Sequence, residues 1–151
     1  MPGDTGHRPP AAIDSLIVLL PDSRPFIRTI AISELGRLQA VAALPGMLKA
    51  VRDKQPLVRS TSLRALTRIG AATADVSPLV VAMLAALDNV PHEESVVREA
   101  ALDGLGALAP KVTTQRPEII RALTRTTADR NPRLAGKARE LLRTAYREPA
   151  G

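Results

Sequence analysis

The chain has 151 residues, a single-domain length at roughly 100–200 residues per domain, of which 45% are apolar and 24% charged. With no Cys, no Trp, one Phe and one Tyr, it has no disulfide framework, no thiolate zinc site, no Cys nucleophile and no aromatic platform for stacking bases. The net charge of +6 and the sequence pI near 10.7 raise nucleic acid or an acidic partner as candidates, while 24 Ala and 20 Leu favour closely packed helices.

In chain order, residues 1–10 contain Gly and Pro but no hydrophobic segment, so they read as a flexible leader and not as a signal peptide. No lipidation motif is visible at either end. Residues 11–20 carry the first apolar stripe. Asp22-Ser23-Arg24-Pro25-Phe26-Ile27-Arg28 follows, and then Ala31, Leu35 and Leu38 recur at helical spacing. A second stripe at 42–52, with Pro45 early in it, precedes Asp53-Lys54-Gln55-Pro56-Leu57-Val58-Arg59 and the row Ser62, Leu66, Ile69. A third at 77–87, opening on Ser77-Pro78, precedes His92-Glu93-Glu94-Ser95-Val96-Val97-Arg98 and Ala101, Leu105, Leu108. A fourth at 117–128 precedes Asp129-Arg130-Asn131-Pro132-Arg133-Leu134-Ala135 and Ala138, Leu142, Ala145. The longest unbroken apolar run, residues 79–87, has nine residues, about half of the roughly 18 that span a bilayer. A cytoplasmic location is therefore expected.

The four turn segments start 31, 39 and 37 residues apart and keep the same internal offsets. In three of them Asp closes one helix and caps the turn, and Pro follows three residues later, in the first turn of the next helix, where its missing N–H costs nothing. The pattern predicts four units, each an A helix, a short turn and a B helix. One such unit cannot bury its apolar face alone, so neighbours stack and share a continuous core.

The combination Asp-x-x-Pro-x-(Val/Ile)-Arg-x-x-(Ala/Ser), with Leu-Gly near the helix end at Leu35-Gly36 and Leu105-Gly106, resembles the HEAT repeat. It is closest to the short HEAT-like repeats also found in phycobilin lyases. The resemblance covers residues 11–147 and implies an all-α fold: an α-solenoid of about four HEAT-like helix–turn–helix repeats, about eight helices in all. The units fall near 11–39, 40–71, 74–109 and 111–147, with a tail at 148–151. Scaffold or adaptor work is what this family mostly does. In similar repeats the shared Arg pairs with turn acids of its own or a neighbouring unit. Arg28, Arg59 and Arg98 are thus expected to form a structural ladder, for instance Arg59 with Asp22 or Asp53. The third unit departs from the pattern with His92 and Ser95 in place of Asp and Pro, and the fourth with Ala135 in place of Arg.

No residues converge as catalytic, metal-binding or cofactor-binding groups. His7 and His92 have no second ligand at metal spacing. Glu93 and Glu94 read as solvated acids ahead of a helix N-terminus, where negative charge is favoured. Pro2-Gly3-Asp4-Thr5-Gly6 lacks the strand and the Lys of a phosphate loop. An enzyme is not expected, and no cofactor or metal is implied.

The resemblance places the B helices on the concave side. Their outward residues, five and nine beyond the ladder Arg, are Ser33 and Arg37, Arg64 and Arg68, Asp103 and Ala107, and Glu140 and Thr144, with Glu99 near the same face. Arg37, Arg64, Arg68, Glu99 and Asp103 are the expected partner-binding residues. The groove is basic in units one and two and acidic in unit three, unlike a uniformly basic duplex-binding surface.

Residues 1–110 hold 11 basic and 11 acidic residues, and residues 111–151 hold 10 and 4, so the whole excess lies in the last unit. It reads as two rows spaced by four: Arg121 and Arg125 on the A helix, and Arg139, Arg143 and Arg147 on the B helix. Position four beyond the ladder Arg is Ile32, Leu63 and Leu102 in the first three units but Arg139 in the fourth. Position eight is Gly36, Thr67 and Gly106, and then Arg143. The inner three are expected to pack on the next unit, and the Arg pair to cap the array with a polar end. Two functions compete. The first is a non-catalytic protein–protein interaction scaffold or adaptor holding its partner on the concave face. The alternative is DNA-backbone binding through the basic C-terminal repeat. Self-association through the ends or the concave side is also open to such an array.

Overall fold

Three of the four B helices open on the proline that the turn pattern supplies, at the helix position where an absent N–H does no harm. The computed structural model describes residues 10–89 and 94–149. Four helix pairs follow one another: α1 (Pro10–Val18) with α2 (Pro25–Arg37), α3 (Leu44–Ala50) with α4 (Pro56–Gly70), α5 (Ser77–Asn89) with α6 (Ser95–Leu108), and α7 (Arg116–Thr126) with α8 (Pro132–Arg143). No strand occurs among the described residues. The chain is therefore an all-α solenoid with α1, α3, α5 and α7 as A helices and α2, α4, α6 and α8 as B helices. Residues 1–9, which include His7 and nearly all of the expected leader, lie outside the described residues. So do residues 90–93, with His92 and Glu93, and residues 150–151 of the tail.

The turn acids act as the spacing suggests. The Asp22, Asp53 and Asp129 carboxylates accept from the backbone N–H of Arg24, Gln55 and Asn131 at 2.8–2.9 Å, an Asx turn that reverses the chain ahead of each B helix. One A helix is shorter than its stripe: residues 42–52 yield only the seven-residue α3, with a 3-10 turn over Val41–Ala43 before it. Pro45 sits in its first turn, where its missing N–H is tolerated.

Ile32, Leu35, Leu63, Leu66, Leu102 and Leu105 are fully buried, part of one core cluster that runs from Leu20 to Tyr146. Successive inner B helices pack at close range. A Cβ on Gly36 would sit 2.7 Å from the Cβ of Ala65 and 2.9 Å from its Cα, and a Cβ on Gly106 would meet Leu141 at 2.8 Å. Position eight thus faces the next unit, as expected, while position four, Ile32, Leu63 and Leu102, is fully buried. A helices pack less evenly. α5 packs on α7, whereas α3 barely touches either α1 or α5. The packing is thus closest along α2, α4 and α6.

Beyond α8 the chain reverses. The Tyr146 backbone N–H donates to the Leu141 carbonyl at 2.8 Å, and its fully buried hydroxyl donates to the Leu105 carbonyl of α6. The Arg116 guanidinium lies 5.1 Å from the centre of the ring. Burial pushes the Tyr146 hydroxyl up to about 12, against the opposing effect of Arg116.

Candidate interaction surface

The shared arginines reach forward. Arg28 donates through Nε and Nη2 to the Asp53 carboxylate of the next unit at 2.7 and 2.9 Å, and through Nη1 to its own turn at the Asp22 carbonyl, 2.8 Å. Burial works to raise the Asp53 pKa, but the Arg28 hydrogen bonds, the Gln55 N–H and the nearby Arg28 and Arg59 charges together lower it. Arg59 repeats the geometry with the Glu94 carboxylate ahead and the Asp53 carbonyl behind, at 2.6 Å. Arg98 takes Asp129, with side chains only 6% and 4% exposed. Two expectations are corrected here. The carboxylate partner of Arg59 is neither Asp22 nor Asp53 but Glu94, because each Arg spans the gap to the following turn. Glu94, read as a solvated acid, is half-buried and takes over the rung left empty by His92, two residues further along a longer turn. In the fourth unit Ala135 stands at the ladder position, so no rung leaves that unit.

The B-helix face carries the residues singled out for partner binding, and the structure divides them. Arg37 pairs with Glu34 one turn back at 2.5 Å. Arg68 is exposed, and its backbone carbonyl accepts from the side-chain amide of Gln39, just beyond α2, at 3.1 Å. Arg64 reaches Asp103 at 3.4 Å, and Asp103 is held more closely by Lys137 of α8 at 2.7 Å. Glu99 receives Arg133 at 2.9 Å and Lys137 at 3.6 Å, and these contacts, the Arg133 hydrogen bond foremost, hold its carboxyl below its usual pKa. Asp103 and Glu99 are thus spent on unit four, and the acidic stretch expected in unit three is neutralised from within. Arg37 and Arg64 are likewise paired, and of the five only Arg68 forms no ion pair among the described residues.

The same face holds a feature that the sequence reading passed over. Two residues before the ladder Arg stand Phe26, Leu57 and Val96, which are 72%, 66% and 60% exposed. They lie one, two and three turns from Ile30, Arg37, Arg64 and Arg68 on a common helical stripe. The B helices place them side by side at steps of about 8–10 Å. In unit four the equivalent residue is Arg133, which closes the row. The signal was present as two successive apolar residues before each Arg. Of the two neighbours it is Val58 and Val97 that go inward here.

At the C-terminal end, Arg121 and Arg125 share the exposed face of α7, and Arg125 reaches Asp88 of α5 at 3.1 Å. Arg139 approaches the Thr127 carbonyl at 3.4 Å and Arg143 pairs with Glu140 at 2.6 Å. Arg147 does not extend their row. α8 stops at Arg143, Thr144 leaves helical backbone, and the reversal that buries Tyr146 carries Arg147 away. Among the described residues no cluster of His, Cys, Asp and Glu could hold a metal ion, and no helix is long and apolar enough to cross a membrane.

A family model described as HEAT repeats matches residues 13–106, more than half of the chain. No curated protein and no solved structure matches it.

Proposed function

The chain belongs to the HEAT repeat family, whose members generally serve as protein-interaction scaffolds, and from that premise we propose that it is a non-catalytic adaptor that holds a protein partner on its concave B-helix face. The observation that carries this reading is the exposed row Phe26, Leu57 and Val96. Three large apolar side chains at one repeat position form a contiguous surface of the kind that marks interfaces. Arg37, Arg64 and Arg68 flank it and suit a partner with acidic residues beside its apolar contacts. The nucleic-acid reading rests on the C-terminal arginines alone. Arg125 and Arg143 are paired with Asp88 and Glu140 much as Arg37 and Arg64 are with Glu34 and Asp103, so it is the apolar row that favours a protein partner.

Affinity capture from the source cell tests the reading. Phe26→Ser with Leu57→Ser is expected to abolish capture of partners that the wild type retains. Changing Arg37, Arg64 and Arg68 together to Ala is expected to weaken it and to flatten its salt dependence. An unchanged set of partners with both variants overturns the choice of face.

A further inference from the structure

On the A-helix side, the gap between α3 and α5 forms a groove of about 810 Å³. Its walls are apolar: Leu48 and Val51 on one side, Val81, Ala82, Ala85 and Ala86 on the other. Val81 is 57% exposed and Ala85 is exposed too, so the groove lies open to solvent. At one end it meets the Arg59–Glu94 rung, and Lys49 and Arg52 stand along its rim. The nearby acids are already committed, Glu94 to Arg59 and Asp53 to Arg28. Lys49 and Arg52 are exposed, and neither forms an ion pair among the described residues. The result is an open apolar trough with uncompensated positive charge along one edge.

We propose that this groove docks an acidic amphipathic helix from a protein partner, with its apolar stripe on Val81 and Ala85 and its carboxylates toward Lys49 and Arg52. Three observations select this occupant. Small side chains on the α5 wall let a helix approach closely, as Ala65 does for Gly36 within the array. A trough left open suits a helix, whose polar back faces water, whereas an acyl chain would lie half-exposed there. The free charges on the rim call for carboxylates. The site is separate from the B-helix row, and either surface can fail without the other.

The probe is a synthetic helical peptide as long as α5, 13 residues, with Leu along one stripe and Glu flanking it, titrated into the full chain by fluorescence anisotropy and amide-shift mapping. Saturable binding is expected, with shifts confined to α3, α5 and the turn between α3 and α4. Lys49→Glu with Arg52→Glu is expected to weaken binding at least about tenfold. The same variant is expected to bind a version of the peptide carrying Lys in place of Glu, a rescue that a misfolded protein cannot give. Val81→Asp removes binding of both peptides, while Phe26→Ser with Leu57→Ser leaves it unchanged. Absence of saturable binding, shifts centred on the B helices, or equal binding of both peptides by the wild type overturns the proposal. Binding of dodecanoate in the groove without the peptide overturns it as well, in favour of an acyl ligand.

Discussion

Where α2 meets α4, Gly36 lies almost backbone to backbone with Ala65, and Arg28 crosses to Asp53. At the other end of the array the equivalents of Gly36 and Arg28 are Arg143 and Ala135, and no ladder rung leaves the unit. The inner interfaces are held by close steric fit with a buried or half-buried ion pair at the turn edge. The fourth unit receives the same kind of rung and close approach, Arg98–Asp129 and Gly106–Leu141. It adds Tyr146, whose buried hydroxyl donates to Leu105 of α6 and whose ring lies 5.1 Å from the Arg116 guanidinium of α7. An interior repeat must complement two neighbours, and position eight is spent on the forward one. In the fourth unit charge stands at both position four and position eight. The last unit departs furthest from the repeat pattern, and it lies outside the stretch that the family model matches.

The largest expected break in the comparison is Asp129→Ala. It leaves the guanidinium of Arg98 buried without its counter-charge, when two of its nitrogens already lack a hydrogen-bond partner. Stability is expected to fall by about 3–5 kcal/mol in urea unfolding, and by less in Asp53→Ala, since Arg28 is closer to solvent. Equal losses would mean that burial does not grade the rungs. Next comes Gly36→Val, whose Cβ would collide with the Ala65 backbone, at a cost of about 1–3 kcal/mol. The opposite sign is expected in the fourth unit. Gly136 has nothing within 4 Å of a built Cβ, so Gly136→Ala should stabilise α8 by about 0.5–1 kcal/mol.

Tyr146→Phe removes the hydrogen bond to Leu105 and is expected to cost about 1 kcal/mol. It also carries a pH signature. The folded-state pKa lies above the ordinary value of 10.0, at about 12. The unfolded chain therefore loses this proton first, and stability declines as pH rises from about 10 towards about 12. The variant should lack that slope. As the chain has a single Tyr and no Trp, absorbance titration of tyrosinate reports this site alone. The smallest effect on stability is expected from Arg139→Leu with Arg143→Gly, within about 0.5 kcal/mol. This pair restores the interior pattern to α8, and concentration-dependent association in light scattering is the expected result. A variant that stays monomeric would show that the two arginines do not act as a cap.

Much of the fold was legible because its signals are local. Asp22, Pro25 and the stripe Ala31–Leu35–Leu38 sit within one turn–helix segment, and each acts through its neighbours in the chain. The ladder was legible as a register but not as a set of pairs. Choosing Glu94 over Asp53 for Arg59 requires the offset between units two and three, and that depends on a turn of unusual length. Arg147 was misplaced because helical spacing says nothing about where α8 stops. Its end is set by Tyr146, whose burial depends on a pocket formed by α6 and α7. On the outward B-helix face, helical offset places Arg37, Arg64 and Arg68, which are exposed. Phe26, Leu57 and Val96 were passed over, since an apolar residue beside another apolar residue does not declare which one turns inward.

By itself, the sequence determined the helices, the four-unit register, the all-helical class and the polar character of the C-terminal end. These follow from backbone chemistry and periodicity, which act over a few residues. Only the tertiary structure decided which acid each arginine takes, that Glu99 and Asp103 are spent on unit four, and that α3 and α5 stand apart enough to leave a groove. Those outcomes rest on the displacement of one unit against the next. Many small contacts set that displacement together, none of them contained in any one segment.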